Sequence, residues 1–375
     1  MISSYLIEYF ELVIINLLGN HIMDKPRSIP ALTSIRGFAA LIVLFMHIHE
    51  TFRNDLPWFS IFKNGALGVD LFFVLSGFIL AYVYADTTIE RRNFLGFYNK
   101  FIKSRLARIY PLHFFTLLFT LCLVLVIPHF YERSPQFYTG LSFILNLFLI
   151  QNWGFIDISW NIVSWSISAE FFMYLLFPFM LYFKNLVNSQ FKVLTLAIFI
   201  FIIHHIFIFT LNWTNYGGMS LGGMVRVFFE FSLGFLLFYL RAGFYTIFIN
   251  FKDNLGLLLV LLLLISVFFK EVWLLFLPSV AFFILHLGVF DSSTSRFLSN
   301  KPLVYLGNIS FSLYMWHWLV IQVYNALKTN VFQFDHSQTS EFIAACFLTI
   351  ISLVIAHYSF RYLEEPARKW GRKFI

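Results

Sequence analysis

Apolar runs of membrane-crossing length recur along the chain at approximately 33–52, 67–85, 108–128, 164–183, 192–211, 222–241, 254–270, 272–290, 306–327 and 341–361. A helix needs about 20 mainly apolar residues to cross a hydrocarbon core of roughly 30 Å, so these ten stretches predict about ten transmembrane helices. Another apolar piece, 139–151, is short for a traverse and leads into Gln151-Asn152-Trp153-Gly154-Phe155-Ile156-Asp157, a loop without Lys or Arg. The fold class expected is all-α and polytopic, with the segment near 139–160 either re-entrant or packed on the outer face.

Charge then sets the orientation. With a cytoplasmic N-terminus and a non-crossing 139–151, all but six of the 26 Lys and Arg fall on the inner side. The exceptions are Arg53, Lys63, Arg133, Arg226, Lys270 and Lys328. Making 139–151 a full crossing inverts everything after it and destroys the asymmetry, so both termini are expected in the cytoplasm. Residues 1–22 stand apart, with apolar stretches interrupted by Glu8 and Glu11 and followed by Met23. They read either as an interfacial amphipathic helix or as sequence upstream of the true start, and they lack the features of a signal peptide. Residues 23–375 read as one integral membrane domain.

Composition agrees. Of 375 residues 59% are hydrophobic and 12% charged, about half the charged fraction of a soluble domain. The net charge of +7 follows membrane sidedness, so no nucleic-acid partner is expected. Cys122 and Cys346 each lie in an apolar run, which gives neither a disulfide framework nor a thiolate metal site. No HExxH, Gly-rich phosphate loop or Gly-x-Ser-x-Gly occurs, and no metal is expected.

Five segments carry polar chemistry inside this apolar frame. Arg36 and His47 are eleven residues apart in the first span, about three helical turns and about 16 Å of rise, so they share a face at different depths. Charged and titratable groups in a span mark function when they face a protein interior, whereas Arg36 at the headgroups and a packed His47 is the structural alternative. Gly68-Val69-Asp70-Leu71-Phe72-Phe73-Val74-Leu75-Ser76-Gly77-Phe78 puts Asp70 near the outer entrance of the second span. There it either caps the helix or, at the depth of His47, raises the basicity of that imidazole. Arg105 and Arg108, in Lys100-Phe101-Ile102-Lys103-Ser104-Arg105-Leu106-Ala107-Arg108-Ile109-Tyr110-Pro111, are i, i+3 partners that either grip a phosphate or anchor the loop to headgroups. Glu170, in Trp165-Ser166-Ile167-Ser168-Ala169-Glu170, lies about a turn inside the membrane among hydroxyls. The fifth segment is Ser310-Phe311-Ser312-Leu313-Tyr314-Met315-Trp316-His317-Trp318. Arg226 and Glu230, at i, i+4, are expected to neutralise each other, and His204, His205, His286 and His357 to be structural.

Together these segments resemble the acyltransferase-3 family of integral membrane acyltransferases, which includes bacterial O-antigen and exopolysaccharide O-acetylases. The resemblance runs from about Ile29 to Arg368 and keeps the family order: Arg-x10-His, the Gly-Val-Asp-Leu-Phe-Phe-Val-Leu-Ser-Gly-Phe block, Arg-x-x-Arg-Ile-Tyr-Pro, Trp-Ser-Ile-Ser-Ala-Glu, Ser-Leu-Tyr-Met-Trp-His-Trp and a terminal Glu-Glu-Pro. It implies transfer of an acyl group, usually acetyl from acetyl-CoA, to a carbohydrate hydroxyl at the bacterial inner membrane. By the resemblance, Arg36 and His47 are essential and Arg105 with Arg108 meets the acyl-CoA. One departure is visible: many members carry Leu-Asp-Gly-Leu-Arg-Gly, whereas this chain has Leu32-Thr33-Ser34-Ile35-Arg36-Gly37, so Thr33 stands where those members have Asp.

The expected chemistry runs across the membrane. Arg36, Arg105 and Arg108 bind acyl-CoA on the cytoplasmic side, and His47, assisted by Asp70, acts as general base, with an acyl-histidine as the second route. Glu170 orients the acceptor or stabilises the interior. The other functional class is a transporter of a sugar or acyl carrier, which shares buried charges but would make no bond.

Overall fold

The computed structural model describes residues 29–52, 56–127, 135–155, 159–186, 189–210, 221–269, 274–330, 337–371 and 373. The extension 1–22 lies outside the described residues. Helices α1 (Pro30–Phe52), α2 (Leu67–Tyr84), α3 (Phe94–Val126), α4 (Gly140–Leu147), α5 (Trp165–Tyr182) and α6 (Gln190–Thr210) come first. Then follow α7 (Leu221–Phe248), α8 (Lys252–Phe268), α9 (Phe276–Val289), α10 (Ser293–Leu298), α11 (Lys301–Asn308), α12 (Ser310–Asn330), α13 (Gln338–Ser359) and α14 (Glu365–Gly371). No strand occurs among the described residues.

Among the described residues, seven helical stretches are long and apolar enough to cross a membrane. They make this an integral membrane protein. One of the seven, Gly222–Phe268, is 47 residues long. That is about 70 Å of helix, and the 3-10 turn Ile249–Phe251 divides it into α7 and α8. Helix α9 has only 14 residues, and α12 lies outside the seven, with Ser310, Ser312, His317, Gln322, Asn325 and Lys328 among its 21.

One expectation needs adjusting. The basic stretch ahead of the third span was expected as a connecting loop, but it is helical: α3 begins at Phe94 and carries Arg105 and Arg108 continuously into the apolar run. Nothing between Phe94 and Tyr110 breaks a helix apart from Gly96 in its first turn, and Pro111 removes only one backbone donor. Segment 139–160 does not traverse. Helix α4 has eight residues, starts on a Thr139–Ser142 capping box and ends at Phe148. The chain turns through Leu149 (φ 60°) and later Trp160 (φ 55°), both in the left-handed region. Irregular backbone at such depth is tolerated where protein satisfies its polar groups. Here Asn146 Nδ2 donates to Ser159 Oγ at 2.9 Å, Trp160 Nε1 to Ser142 Oγ at 2.9 Å, and Asn161 Nδ2 to the Met315 carbonyl at 3.0 Å.

Helix α2 is the hub, packing on α1, α5, α7 and α9. Its tightest neighbour is α7, where the two backbones touch: a Cβ on Gly77 would strike the Phe231 carbonyl, and one on Gly234 the Val74 carbonyl. Helices in lipid gain little from apolar burial alone, so close approach at small residues supplies the dispersion contacts that hold them. On the opposite flank Phe101 of α3 stacks on Phe177 of α5 at 5.1 Å and meets Tyr84 of α2 edge-on at 5.4 Å. These contacts fix α1, α2, α3, α5 and α12 around a common interior.

Candidate active site

That interior contains a cavity of about 280 Å³. Arg36 from α1, Ser76 from α2, Arg105 and Arg108 from α3, Glu170 and Tyr174 from α5, Tyr314 from α12 and Arg368 from α14 all line it. Four of the six expected site residues therefore meet in one space, although they come from three helices. Arg105 is seated by its own helix, its guanidinium lying 5.6 Å above the Phe101 ring and donating to Ser104 Oγ at 3.0 Å. Its Nε is buried with no hydrogen-bond partner among the described residues. Arg36, Arg105 and Arg108 have no carboxylate within ion-pair distance among the described residues. Three guanidinium groups in one half-buried space with no carboxylate at ion-pair distance among the described residues have the charge and fork geometry that suit an anion.

Glu170 does not fill that role. Its Oε1 accepts from Ser76 Oγ at 2.6 Å and from Tyr174 Oη at 2.7 Å, which ties the carboxylate to the α2 and α5 walls. Those two bonds leave Oε2 uncommitted.

His47 lies behind the cavity wall. Its ring contacts Trp318 at 5.0 Å and His317 at 5.1 Å. Tyr314, which lines the cavity, sits 5.8 Å from the His317 ring and forms the partition. The hydrogen bonds assign the tautomers. A carbonyl can only accept, so His317 Nδ1 carries a proton toward the Leu313 carbonyl at 3.2 Å and His47 Nδ1 carries one toward the Val43 carbonyl at 3.0 Å. His317 Nε2 is then bare, and the single His47 Nδ1 proton is shared between it, at 3.1 Å, and the Val43 carbonyl. The pattern leaves His47 Nε2 with a free lone pair, the form a general base or nucleophile requires.

Asp70 departs from expectation. Depth along the sequence placed it beside His47, but it hydrogen-bonds Arg226 of α7. The reason is azimuth: Asp70, Val74 and Gly77, at i, i+4 and i+7, form the stripe that α2 presses against α7, while Val69, Phe72, Phe73 and Ser76 face the cavity. Arg226 Nε also lies 3.7 Å from Glu230 Oε1, and His204 Nε2 lies 3.2 Å from the same oxygen. The expected Arg226–Glu230 pair is thus half of a four-residue cluster.

Two residues at the site were not singled out from sequence as site residues. His317 was noted only within an aromatic run. Its signal was a polar stripe, Ser310, Tyr314 and His317, at i, i+4 and i+7 of an otherwise apolar span. Arg368 counted only toward inner positive charge, although Glu364-x-x-x-Arg368 has the spacing of a helical ion pair.

Comparison with known proteins identifies the family. The acyltransferase-domain family profile matches residues 29–358. The O-acetyltransferase OatA of Staphylococcus aureus is 26% identical over 385 residues, which cover 94% of this chain and 59% of that protein. The acyltransferase MdmB of Streptomyces mycarofaciens is 35% identical over 162 residues, covering 40% of this chain and 38% of that protein. The chain thus spans about three-fifths of the length of the OatA relative. No solved structure matches it.

Proposed function

Because this chain belongs to the acyltransferase-3 family, we propose that it transfers an acyl group, acetyl from acetyl-CoA, to a carbohydrate hydroxyl. The observation that carries the proposal is the set of three arginines, Arg36, Arg105 and Arg108, in one cavity with no carboxylate at ion-pair distance among the described residues. The donor is an anion through its phosphates, and arginine forks suit phosphate oxygens. The OatA relative is an O-acetyltransferase by name, which supports acetyl as the group and oxygen as its destination.

The proposed topology has ten traverses with both termini in the cytoplasm, which puts Arg36, Arg105 and Arg108 on the side where acyl-CoA is made. His47 then stands about 16 Å further along α1, toward the outer half. The pantetheine arm runs from the arginine cavity past Tyr314 toward the imidazole pair. His47 Nε2 takes the proton of the acceptor hydroxyl as its oxygen attacks the thioester carbonyl. The C–S bond then breaks, and the departing thiolate receives that proton from the imidazolium, leaving an ester and CoA thiol. His317 holds the His47 tautomer through the Nδ1 bond, and the Asp70 carboxylate supports the fold from the α2–α7 interface. Glu170, with its free Oε2 facing the cavity lining, orients the substrates.

Purified protein in nanodiscs should release free CoA from acetyl-CoA only when a glycan acceptor is present. His47→Ala should lower the turnover by about 10²–10⁴ while the protein stays inserted. Near-normal turnover by that variant would remove His47 from the chemistry. Acceptor movement without CoA release would favour a transporter.

A further inference from the structure

Arg368 lines the same cavity as Arg36, Arg105 and Arg108, yet it comes from the far end of the chain. Two contacts hold it there. Glu364, the last residue of the π-helical turn Phe360–Glu364, is buried and accepts from Ser312 Oγ of α12 at 2.8 Å. Its other oxygen lies 3.6 Å from Arg368 Nη1. Gly371, three residues later, rests against the Ala107 side chain of α3, and a Cβ on it would collide there. Ala107 falls between Arg105 and Arg108. Helix α14 is therefore pinned to α12 before Arg368 and to α3 after it, which delivers the guanidinium to the arginine pair.

The charge count makes this fourth cation informative. The cavity is lined by four arginines and one carboxylate, Glu170. The thioester and pantetheine of an acyl-CoA are neutral, whereas its nucleotide carries a pyrophosphate and a 3′-phosphate. A single phosphate is satisfied by one or two arginine forks, so four in one space match an anion with more than one phosphate group. We propose, resting on the acyl-CoA reading above, that Arg368 is a donor-specificity residue that takes a phosphate of the donor's nucleotide. Glu364 and Gly371 are its positioning residues, and α14 closes the nucleotide end of the cavity.

Acetyl-CoA and acetyl-pantetheine share the thioester, but only the first carries phosphates, so the pair of donors reads out the role. With the full chain in nanodiscs, Arg368→Gln should lower kcat/KM for acetyl-CoA by about tenfold or more, through KM, and by less than about twofold for acetyl-pantetheine. Glu364→Gln should shift the same ratio in the same direction by a smaller factor. Equal losses on both donors would make Arg368 a packing residue, and no loss on either would remove it from the site; each result overturns the proposal. A CoA-selective loss that disappears in nanodiscs lacking anionic lipid would assign Arg368 to a lipid headgroup and also overturn it. If Arg368→Gln does not fold, Arg368→Lys tests the same point, with a smaller CoA-selective loss expected because the charge remains and the fork is gone. A wild type that turns over neither donor would instead refute the acyl-CoA reading itself.

Discussion

Two arginine environments adjoin α2, one where it packs on α7 and one at the cavity. On the α7 face Arg226 is fully buried and answered by Asp70 and Glu230, with His204 on the second acid. On the cavity face Arg36, Arg105 and Arg108 meet in one space with no acid at ion-pair distance among the described residues. The first group is closed upon itself. Arg226, fully buried and flanked by two acids, presents no face to the cavity, and its removal strands the acids that surround it. The second group is held half-buried by helix packing at a cost in repulsion, which the proposed anionic donor would relieve. The contrast separates an element that holds helices together from one with charge to spare, the one proposed to receive the donor.

The largest effect that can break this contrast is on stability. Arg226→Ala is expected to destabilise the protein by about 3–5 kcal/mol, read as a lower thermal midpoint in detergent, because Asp70 and Glu230 remain buried without their partner. A normal midpoint would mean that the cluster does not hold α2 to α7. Next, Arg105→Ala combined with Arg108→Ala is expected to leave the midpoint unchanged or higher, since repulsion is removed. The acetyl-CoA concentration for half-maximal rate should rise by about tenfold to a hundredfold, from about 1.5–3 kcal/mol per charged hydrogen bond with some compensation. If insertion or midpoint fell instead, the pair would be a membrane anchor. The smallest change is Arg108→Lys, which keeps the charge and loses the fork, for an expected rise of about fivefold or less. A loss equal to that of Arg108→Ala would show that fork geometry, rather than charge, carries the contact.

Much of this was legible along the chain. The apolar runs, the charge asymmetry and the five polar segments located a membrane protein and four of its cavity residues, because each segment is chemically out of place in a span. What stayed hidden is the direction a side chain takes around its helix. Asp70 and Ser76 lie within two turns on α2, yet one faces α7 and the other Glu170. Depth estimated from span length cannot distinguish these faces, and so Asp70 was expected beside His47. The partner of His47 is His317, 270 positions away in sequence. Such a pairing depends on α1 packing against α12, which no local pattern encodes. Arg368 was hidden for a similar reason: its place depends on Gly371 finding Ala107 across two helices.

The claim that the unmatched arginines receive the donor is tested most directly by equilibrium binding of acetyl-CoA to the purified protein, compared with the Arg105→Ala, Arg108→Ala double variant. The account predicts binding by the wild type that weakens as salt is raised and falls by more than about tenfold in the double variant, with an unchanged thermal midpoint. Equal binding by the two proteins would contradict it.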